Sequence, residues 1–210
     1  MRAVIIGGGD FGKRQAKSIN ADDFVICADG GYDSAVKYDI RADIVIGDMD
    51  SVKSEIAAEK IVYPAKKDFT DGELAVRYAL ERGYKDILLT GFTGERLDHT
   101  ISDIFMLSII AENGASGMLR DENNDIYYLE KSRPVKLKTG KNENLSIVPL
   151  CGLSGLYTKG LEYPVNNEDM EFFKSRTLCN VTVSSEAEVG ISAGRALIIL
   201  SKDRDFDQSA

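Results

Sequence analysis

Short, uniformly apolar segments in the first 90 residues constrain the fold more than any other feature of this sequence. Helical patterns separate them, and most end at a glycine or an aspartate; they cover residues 3–6, 24–28, 44–46, 61–63 and 87–89. Strands that are apolar on both faces are typical of a parallel sheet covered by helices. We therefore predict an N-terminal α/β domain built on a parallel sheet.

Two helices of this domain can be predicted in more detail. Thr70 followed by Glu73 has the form of a capping box, which predicts a helix from there to about Arg82. A second helix should end near Asn113, and its apolar residues repeat at helical spacing. The spacing predicts one buried face, formed by Leu97, Ile101, Ile104, Phe105 and Ser108.

The pattern changes after Gly117. Short strand-like segments separated by Gly, Asn and Pro follow, at 126–129, 135–137, 145–148, 181–183 and 196–200. This pattern predicts a small antiparallel sandwich or barrel. We expect an α/β domain over residues 1–130, a β-sandwich over 131–210, and a frayed polar tail from 203 onward.

Composition excludes several classes of protein. The 26 basic and 34 acidic residues give a net charge of −8 without a basic run, which is unfavourable for nucleic-acid binding. Three separated cysteines indicate a reducing, cytoplasmic setting, and the single histidine, His99, makes a zinc site with paired histidines very unfavourable. The longest apolar stretch, 104–111, is too short to cross a membrane.

Four aspartates follow predicted strands or begin a predicted helix: Asp29, Asp48, Asp50 and Asp71. Ligands of open parallel sheets bind at the carboxyl ends of the strands, and paired carboxylates there are typical Mg²⁺ ligands. If the chain is extended, Asp48 and Asp50 face the same side. Alternatively, they cap a following helix together with Ser51, and Asp71 only favours a helix dipole. Four aspartates in one half-domain favour the functional interpretation.

Two further segments suggest phosphate binding. Residues 91–99 form a glycine-containing loop before a helix, in which Arg96 can grip phosphate and Asp98 can accept from a ribose hydroxyl or cap the helix. Lys67 precedes the helix predicted to begin at Thr70, and it can also reach phosphate. The competing motif is G-x-G-x-x-G at 7–12, with Asp29 at the end of the second strand, which is the spacing of a dinucleotide fingerprint in an oxidoreductase.

Together these segments resemble the thiamine pyrophosphokinase family. The resemblance rests on A-D-G-G at 28–31, G-D-M-D-S at 47–51, K-D-F-T-D at 67–71, T-G-E-R-L-D-H at 93–99, G-L-E-Y-P-V at 160–165 and Cys179-Asn180. It implies transfer of pyrophosphate from ATP to thiamine with Mg²⁺, giving thiamine diphosphate and AMP. It also implies a homodimer with active sites between the subunits.

The resemblance assigns roles to individual residues. Asp48, Asp50 and Asp71 would be the catalytic metal ligands, and Asn180 with its neighbour Cys179 would contact thiamine. The ATP contacts would be Asp29, Gly30, Lys67, Thr70, Arg96 and Asp98. Two departures bear on substrate affinity: Glu95 stands where the family usually has glycine, and Cys179 where it has serine. A non-catalytic nucleotide-binding module is therefore a third hypothesis, beside the kinase and the oxidoreductase.

Overall fold

The computed structural model describes residues 1–131, 133–172 and 174–202, so the expected polar tail at 203–210 lies outside the described residues. The chain divides into two compact units, Met1–Glu122 and Asn123–Ala210. The sequence placed this division after residue 130. The strand Asn124–Glu130 belongs to the second unit, because it pairs antiparallel with Arg195–Ser201 near the end of the chain.

The first unit is an α/β domain with a parallel sheet, as the sequence predicts. Its strands are β1 (Ala3–Ile6), β2 (Phe24–Ala28), β3 (Ile44–Gly47), β4 (Glu59–Val62), β5 (Asp86–Thr90) and β6 (Ser116–Arg120). They lie in the order β6-β5-β1-β2-β3-β4, and every pairing is parallel. The chain builds the sheet outward from β1 in one direction and then returns to β1's other side with β5. The β1/β5 junction is thus a topological switch point, where doubly wound sheets bind ligands.

The helices of this unit are α1 (Lys13–Lys17), α2 (Gly31–Lys37), α3 (Asp71–Glu81) and α4 (Leu97–Glu112). The predicted cap of α3 is present, since the Thr70 side chain accepts a hydrogen bond from Glu73 N at 3.2 Å. Helix α3 packs against β1, β2 and β3, and α4 packs against α3 and β6.

The predicted buried face of α4 is wrong. Leu97, Ile101 and Phe105 are 69%, 46% and 44% exposed, whereas the buried residues of the helix are Met106, Leu107 and Ile110. The helix carries apolar residues on more than one side, so periodicity alone does not select the face that packs on the sheet. Burial of one stripe leaves the other in solvent.

The second unit is a small antiparallel β-sandwich. One sheet has the order β12-β9-β14-β7 and the other β11-β10-β13-β8. The strands are β7 (Asn124–Glu130), β8 (Val135–Lys138), β9 (Asn144–Pro149), β10 (Leu153–Lys159), β11 (Glu168–Met170), β12 (Asn180–Val181), β13 (Glu186–Gly190) and β14 (Arg195–Ser201). Buried side chains from both sheets, such as Leu145 and Ile198 from one and Leu156 and Val189 from the other, form one core. The predicted fold class is therefore confirmed.

None of the helices in the described ranges combines the length and the apolar composition that a membrane span requires.

Candidate active site

A cleft of about 1200 Å³ opens in the first unit at the carboxyl ends of its strands. Its walls include the segments after β1 and β5 (Gly7–Asp10 and Gly91–Arg96), Asp29 after β2 and Asp48 after β3. The cleft therefore lies at the β1/β5 switch point, where the strand order predicts a ligand site.

Three carboxylates that line this cleft lie close together. One oxygen from each of Asp29, Asp48 and Asp50 lies within 4.8 Å of the others. Asp29 is only 8% exposed, and its Oδ1 has no hydrogen-bond partner among the described residues. A buried carboxylate oxygen without a partner is costly unless a cation or a donor satisfies it. These hard oxygen donors fit a divalent ion such as Mg²⁺.

A tight turn brings Asp48 and Asp50 together. Met49 between them has φ +66°, and Asp50 N donates to Asp48 Oδ1 at 3.3 Å. The expectation of an extended chain is therefore wrong, although the two carboxylates do converge. The helix-capping alternative is also wrong, because residues 51–58 do not form a helix.

Asp71 lies beside this group but pairs with a lysine. Lys67 Nζ is 2.8 Å from Asp71 Oδ1 and 3.8 Å from Asp48 Oδ2. The closer contact is an ion pair without hydrogen-bond alignment, so both of its atoms lack a hydrogen-bond partner among the described residues. The resemblance assigns the metal to Asp48, Asp50 and Asp71. The structure brings Asp29 into the three-carboxylate group and couples Asp71 to Lys67.

Burial and the surrounding charges shift the pKa of both Lys67 and Asp71. Burial raises the pKa of the Asp71 carboxyl, and Asp48 and Asp29 act in the same direction, while Lys67 opposes them. Burial alone would lower the pKa of the Lys67 ammonium, but Asp71, Asp48 and Asp29 outweigh it and raise the pKa above its usual value. Lys67 is therefore a fixed positive charge inside an acidic group.

The cleft as a whole is strongly acidic. Among the described residues its lining carries nine carboxylates against three cationic side chains, Lys53, Lys67 and Arg96. Such a lining repels a polyphosphate unless further cations enter with it. The arrangement is suited to binding a metal-complexed anion rather than a free one.

The other predicted ATP contacts lie in or near the cleft. Gly30, Thr70 and Arg96 line it, and so does Glu95, which is exposed. Arg96 Nη2 donates to Asp98 Oδ2 at 2.6 Å, and both side chains are about two-thirds exposed. Asp98 is not among the described residues that line the cleft. The hydrogen bond from Arg96 lowers the pKa of the Asp98 carboxyl.

Among the described residues that line the cleft, four acidic ones had no role assigned from the sequence: Asp10, Asp33, Asp68 and Asp103. Asp33 on α2 accepts from Lys53 N at 3.0 Å and Ser54 N at 2.8 Å, so it fixes the loop that follows Asp50. Asp103 lies one turn after His99 on α4, and burial raises its pKa to about 6. Helical spacing offered a signal for Asp103, which follows His99 at i+4 on α4. It offered none for Asp33, because Asp29 precedes helix α2 and has φ +44°.

The glycine run after β1 has a packing role. The amides of Gly7, Gly9 and Asp10 donate to Thr90 O, Gly91 O and Thr93 O at 2.7–2.8 Å. A Cβ at Gly7 would lie 2.6 Å from Gly91 O, so the two loops approach too closely for a side chain. A dinucleotide fingerprint presents its amides to a pyrophosphate, whereas these three are already used. This geometry does not favour the oxidoreductase hypothesis.

In the second unit, Asn180 is buried and its amide holds a neighbouring loop. Its Oδ1 accepts from Tyr163 N at 3.1 Å and Val181 N at 2.9 Å, and its Nδ2 donates to Tyr163 O at 2.7 Å. Cys179 is exposed, with φ +56°, and its amide donates to Ser146 Oγ at 3.0 Å. Asn180 also lines a small cavity of about 80 Å³ with Tyr163.

Comparison with known families matches both units. Residues 16–118 match the model of the thiamin pyrophosphokinase catalytic domain, and residues 134–198 match the vitamin B1 binding domain of the same family. Together the two models cover most of the chain. A curated relative, thiamine pyrophosphokinase of Bacillus subtilis, is 29% identical over 168 residues, which is 75% of this chain and 77% of that protein.

Solved structures share the fold over nearly the whole chain. A thiamine pyrophosphokinase structure from Bacillus subtilis has a TM-score of 0.87 at 24% identity and covers 97% of this chain and 100% of its own. One from Geobacillus thermodenitrificans has a TM-score of 0.84 at 24% identity, covering 98% and 99%. One from Candida albicans has 0.76 at 17% identity, covering 96% and 89%.

Proposed function

This chain belongs to the thiamin pyrophosphokinase family, and we propose that it transfers the pyrophosphoryl group of ATP to the hydroxyl of thiamine in a Mg²⁺-dependent reaction. The hydroxyl loses its proton and its oxygen bonds to the β-phosphorus. The bond from the β-phosphorus to the oxygen that bridges it to the α-phosphorus breaks, and AMP leaves with that oxygen. Family membership supports the formation of thiamine diphosphate by pyrophosphate transfer. The observation that carries the Mg²⁺ and ATP part is the three-carboxylate group with its unpartnered, buried Asp29 oxygen.

We assign the Mg²⁺ to Asp48 and Asp50, with Asp29 as the third carboxylate. Asp71, which the resemblance makes a metal ligand, lies beside this group and reaches it through Lys67 and Asp48. When bound, Mg²⁺ would neutralise phosphate charge and favour the departure of AMP. The residues would supply position and charge, because phosphoryl-type transfer does not need a covalent nucleophile.

The cationic side chains of the cleft would bind the phosphate chain. Lys67 and Arg96 are suited to contact phosphate oxygens, and Arg96 can do so with two parallel hydrogen bonds. Its present partner Asp98 is exposed, so exchange of that pairing for a phosphate costs little. Gly30 and Thr70 would lie along the nucleotide, since both line the same cleft.

Thiamine recognition is assigned to the second unit, at Asn180 and Cys179. The side-chain amide of Asn180 hydrogen-bonds to Tyr163 and Val181. We therefore assign Asn180 the role of holding the Tyr163 loop in place, rather than that of contacting thiamine on its own. Cys179 is exposed, and its thiol would be a weaker hydrogen-bonding group than a serine hydroxyl.

A homodimer with active sites between the subunits is part of this proposal. The exposed apolar stripe on α4, formed by Leu97, Ile101 and Phe105, supports it, because a second copy would cover these side chains. The stripe begins directly after Arg96 of the cleft. Light scattering should find a dimer at assay concentration, and an active monomer would overturn this part of the proposal.

One assay tests the reaction itself. The purified protein is incubated with ATP, thiamine and Mg²⁺, and AMP and thiamine diphosphate are quantified. Equal amounts of both products, lost on chelation of the metal, are expected. Stabilisation by NAD(P) with no turnover of ATP would favour the oxidoreductase, and stabilisation by nucleotide alone would favour a non-catalytic module.

A further inference from the structure

Lys67 occupies an unusual position for a lysine that would bind phosphate. Its side chain is 12% exposed, and its ammonium lies 2.8 Å from Asp71 Oδ1 and 3.8 Å from Asp48 Oδ2. The adjacent Lys66, in contrast, is exposed and does not line the cleft in the described part of the chain. Two neighbouring lysines therefore have opposite environments.

Asp48 belongs to two charge groups at once. It pairs with Lys67, and it is one of the three carboxylates that fit a divalent ion. A divalent cation bound to Asp48 would stand close to the Lys67 ammonium, and like charges at such a separation repel strongly in a partly buried site. The ammonium and the metal therefore compete for the same carboxylate.

We propose that Lys67 is the resident counter-cation of the metal site: it neutralises Asp48 and Asp71 while the metal is absent, and it lowers the affinity of the site for divalent ions. Displaced from Asp48, its ammonium is free to contact a phosphate that arrives with the metal. One side chain then explains why the site binds the metal weakly without nucleotide and tightly when nucleotide is present. This inference rests on the metal site of the proposed function.

Divalent-ion affinity without nucleotide or thiamine tests the inference. Mn²⁺ is titrated into the wild type, K67M, K67R and K66M, with free Mn²⁺ measured by electron paramagnetic resonance and thermal unfolding followed in parallel. K67M should bind Mn²⁺ about fivefold more tightly or better, the lower end of typical coupling between sites. It should also unfold at a lower temperature without metal and gain more from metal than the wild type.

The two other variants separate charge from side-chain loss. K67R keeps the positive charge, so its Mn²⁺ affinity should stay near that of the wild type. K66M removes a lysine outside the cleft and should change neither Mn²⁺ affinity nor the metal-dependent gain in stability. If K67M is too unstable for titration, the dependence of its urea midpoint on Mn²⁺ gives the same affinity.

The outcomes distinguish this inference from the proposed function. Mn²⁺ binding by the wild type, with equal or weaker affinity in K67M, overturns the role of Lys67 and leaves the metal site standing. Absence of binding in every variant overturns the metal site and this inference together. Binding by K67M but not by the wild type supports the inference in its strongest form.

Discussion

Replacement of Asn180 by alanine should destabilise the second unit, and the structure gives the size of the effect. The Asn180 amide makes three hydrogen bonds, two to Tyr163 and one to Val181. They tie the loop at Tyr163 to the short strand β12, which is only two residues long. The backbone of this strand also pairs with β9, and Glu162 N donates to Val181 O, so the Asn180 amide adds to this support rather than supplying most of it.

The magnitude follows from those three bonds. Each contributes about 1 kcal/mol net, and a group left buried without a partner costs about 1–3 kcal/mol. Tyr163 is 65% exposed, so water can replace part of what its backbone loses. We therefore expect a loss of about 2–3 kcal/mol in the free energy of unfolding. For a chain of 150–250 residues this corresponds to a fall in Tm of roughly 4–12 °C.

Thermal and urea unfolding of Asn180→Ala measure this loss, with Asn166→Ala as the matched control. Asn166 lies in the same region of the chain but is exposed, so its replacement should leave the free energy of unfolding unchanged within about 0.5 kcal/mol. In the same proteins the KM for thiamine should rise in Asn180→Ala, because the Tyr163 loop loses its anchor, while the KM for ATP should not change.

Two results would refute parts of this reasoning. A destabilisation below about 1 kcal/mol would mean that water replaces the amide fully, and that the three bonds do not hold the loop. A clear loss of stability with an unchanged thiamine KM would separate the Tyr163 loop from the substrate. In that case Asn180 would be a structural residue only.

Three further predictions concern the first unit. Asp71→Asn should lower turnover by about 100-fold or more, which is the scale for removing one charge-stabilising group, and should change Tm little. Near-normal turnover at saturating Mg²⁺ would remove Asp71 from the site. Gly31→Ala should lower the free energy of unfolding by about 3 kcal/mol or more, because the added Cβ would overlap the Ile6 carbonyl. In Gly30→Ala the added Cβ has room, so this variant should keep the fold. Equal stabilities of the two variants would contradict this packing. Because burial raises the pKa of Asp103 to about 6, the native state binds its proton more tightly than the unfolded state. Stability from this group is present below pH 4 and is lost as pH rises through about 6, so Asp103→Asn should gain stability relative to wild type over that interval; a Tm difference independent of pH would refute it.

Most of the sheet of the first unit was predictable, because β1, β2, β3 and β5 are almost wholly buried and end at or next to a glycine or an aspartate. Strand β6, Ser116–Arg120, was not predicted, because Gly117 and the charged Arg120 leave only a very short apolar run between them. In the second unit, β10, β11 and β13 were missed for a similar reason. They bury only alternate or scattered residues, and charged side chains such as Glu186 and Glu188 interrupt them.

The candidate site was predictable as a set of residues but not as a set of contacts. Aspartates after strand ends must converge when the strands are parallel, so Asp29, Asp48 and Asp50 could be placed together from the sequence. Which carboxylate pairs with a lysine depends on loop backbone, here the left-handed residues Asp29 and Met49. Neither is a glycine, so the sequence carried little warning of these turns. The exposed stripe of α4 was misassigned for a different reason, because both of its apolar faces fit a helical period.

The charge of the cleft links the fold to the proposed metal dependence. Parallel strands place their following residues along one edge, so each aspartate after a strand adds its charge to the same space. Among the described residues, nine carboxylates and only three cationic side chains result. Two unit charges 4 Å apart interact by about 4 kcal/mol at an effective dielectric constant of 20, so a polyphosphate entering alone meets several unfavourable terms of that size. Lys67 offsets part of the charge, but its distances tie it to Asp71 and Asp48. An anionic substrate therefore needs additional cations at the edge where the strands end. The carboxylates that repel the substrate are also the groups that can bind these cations.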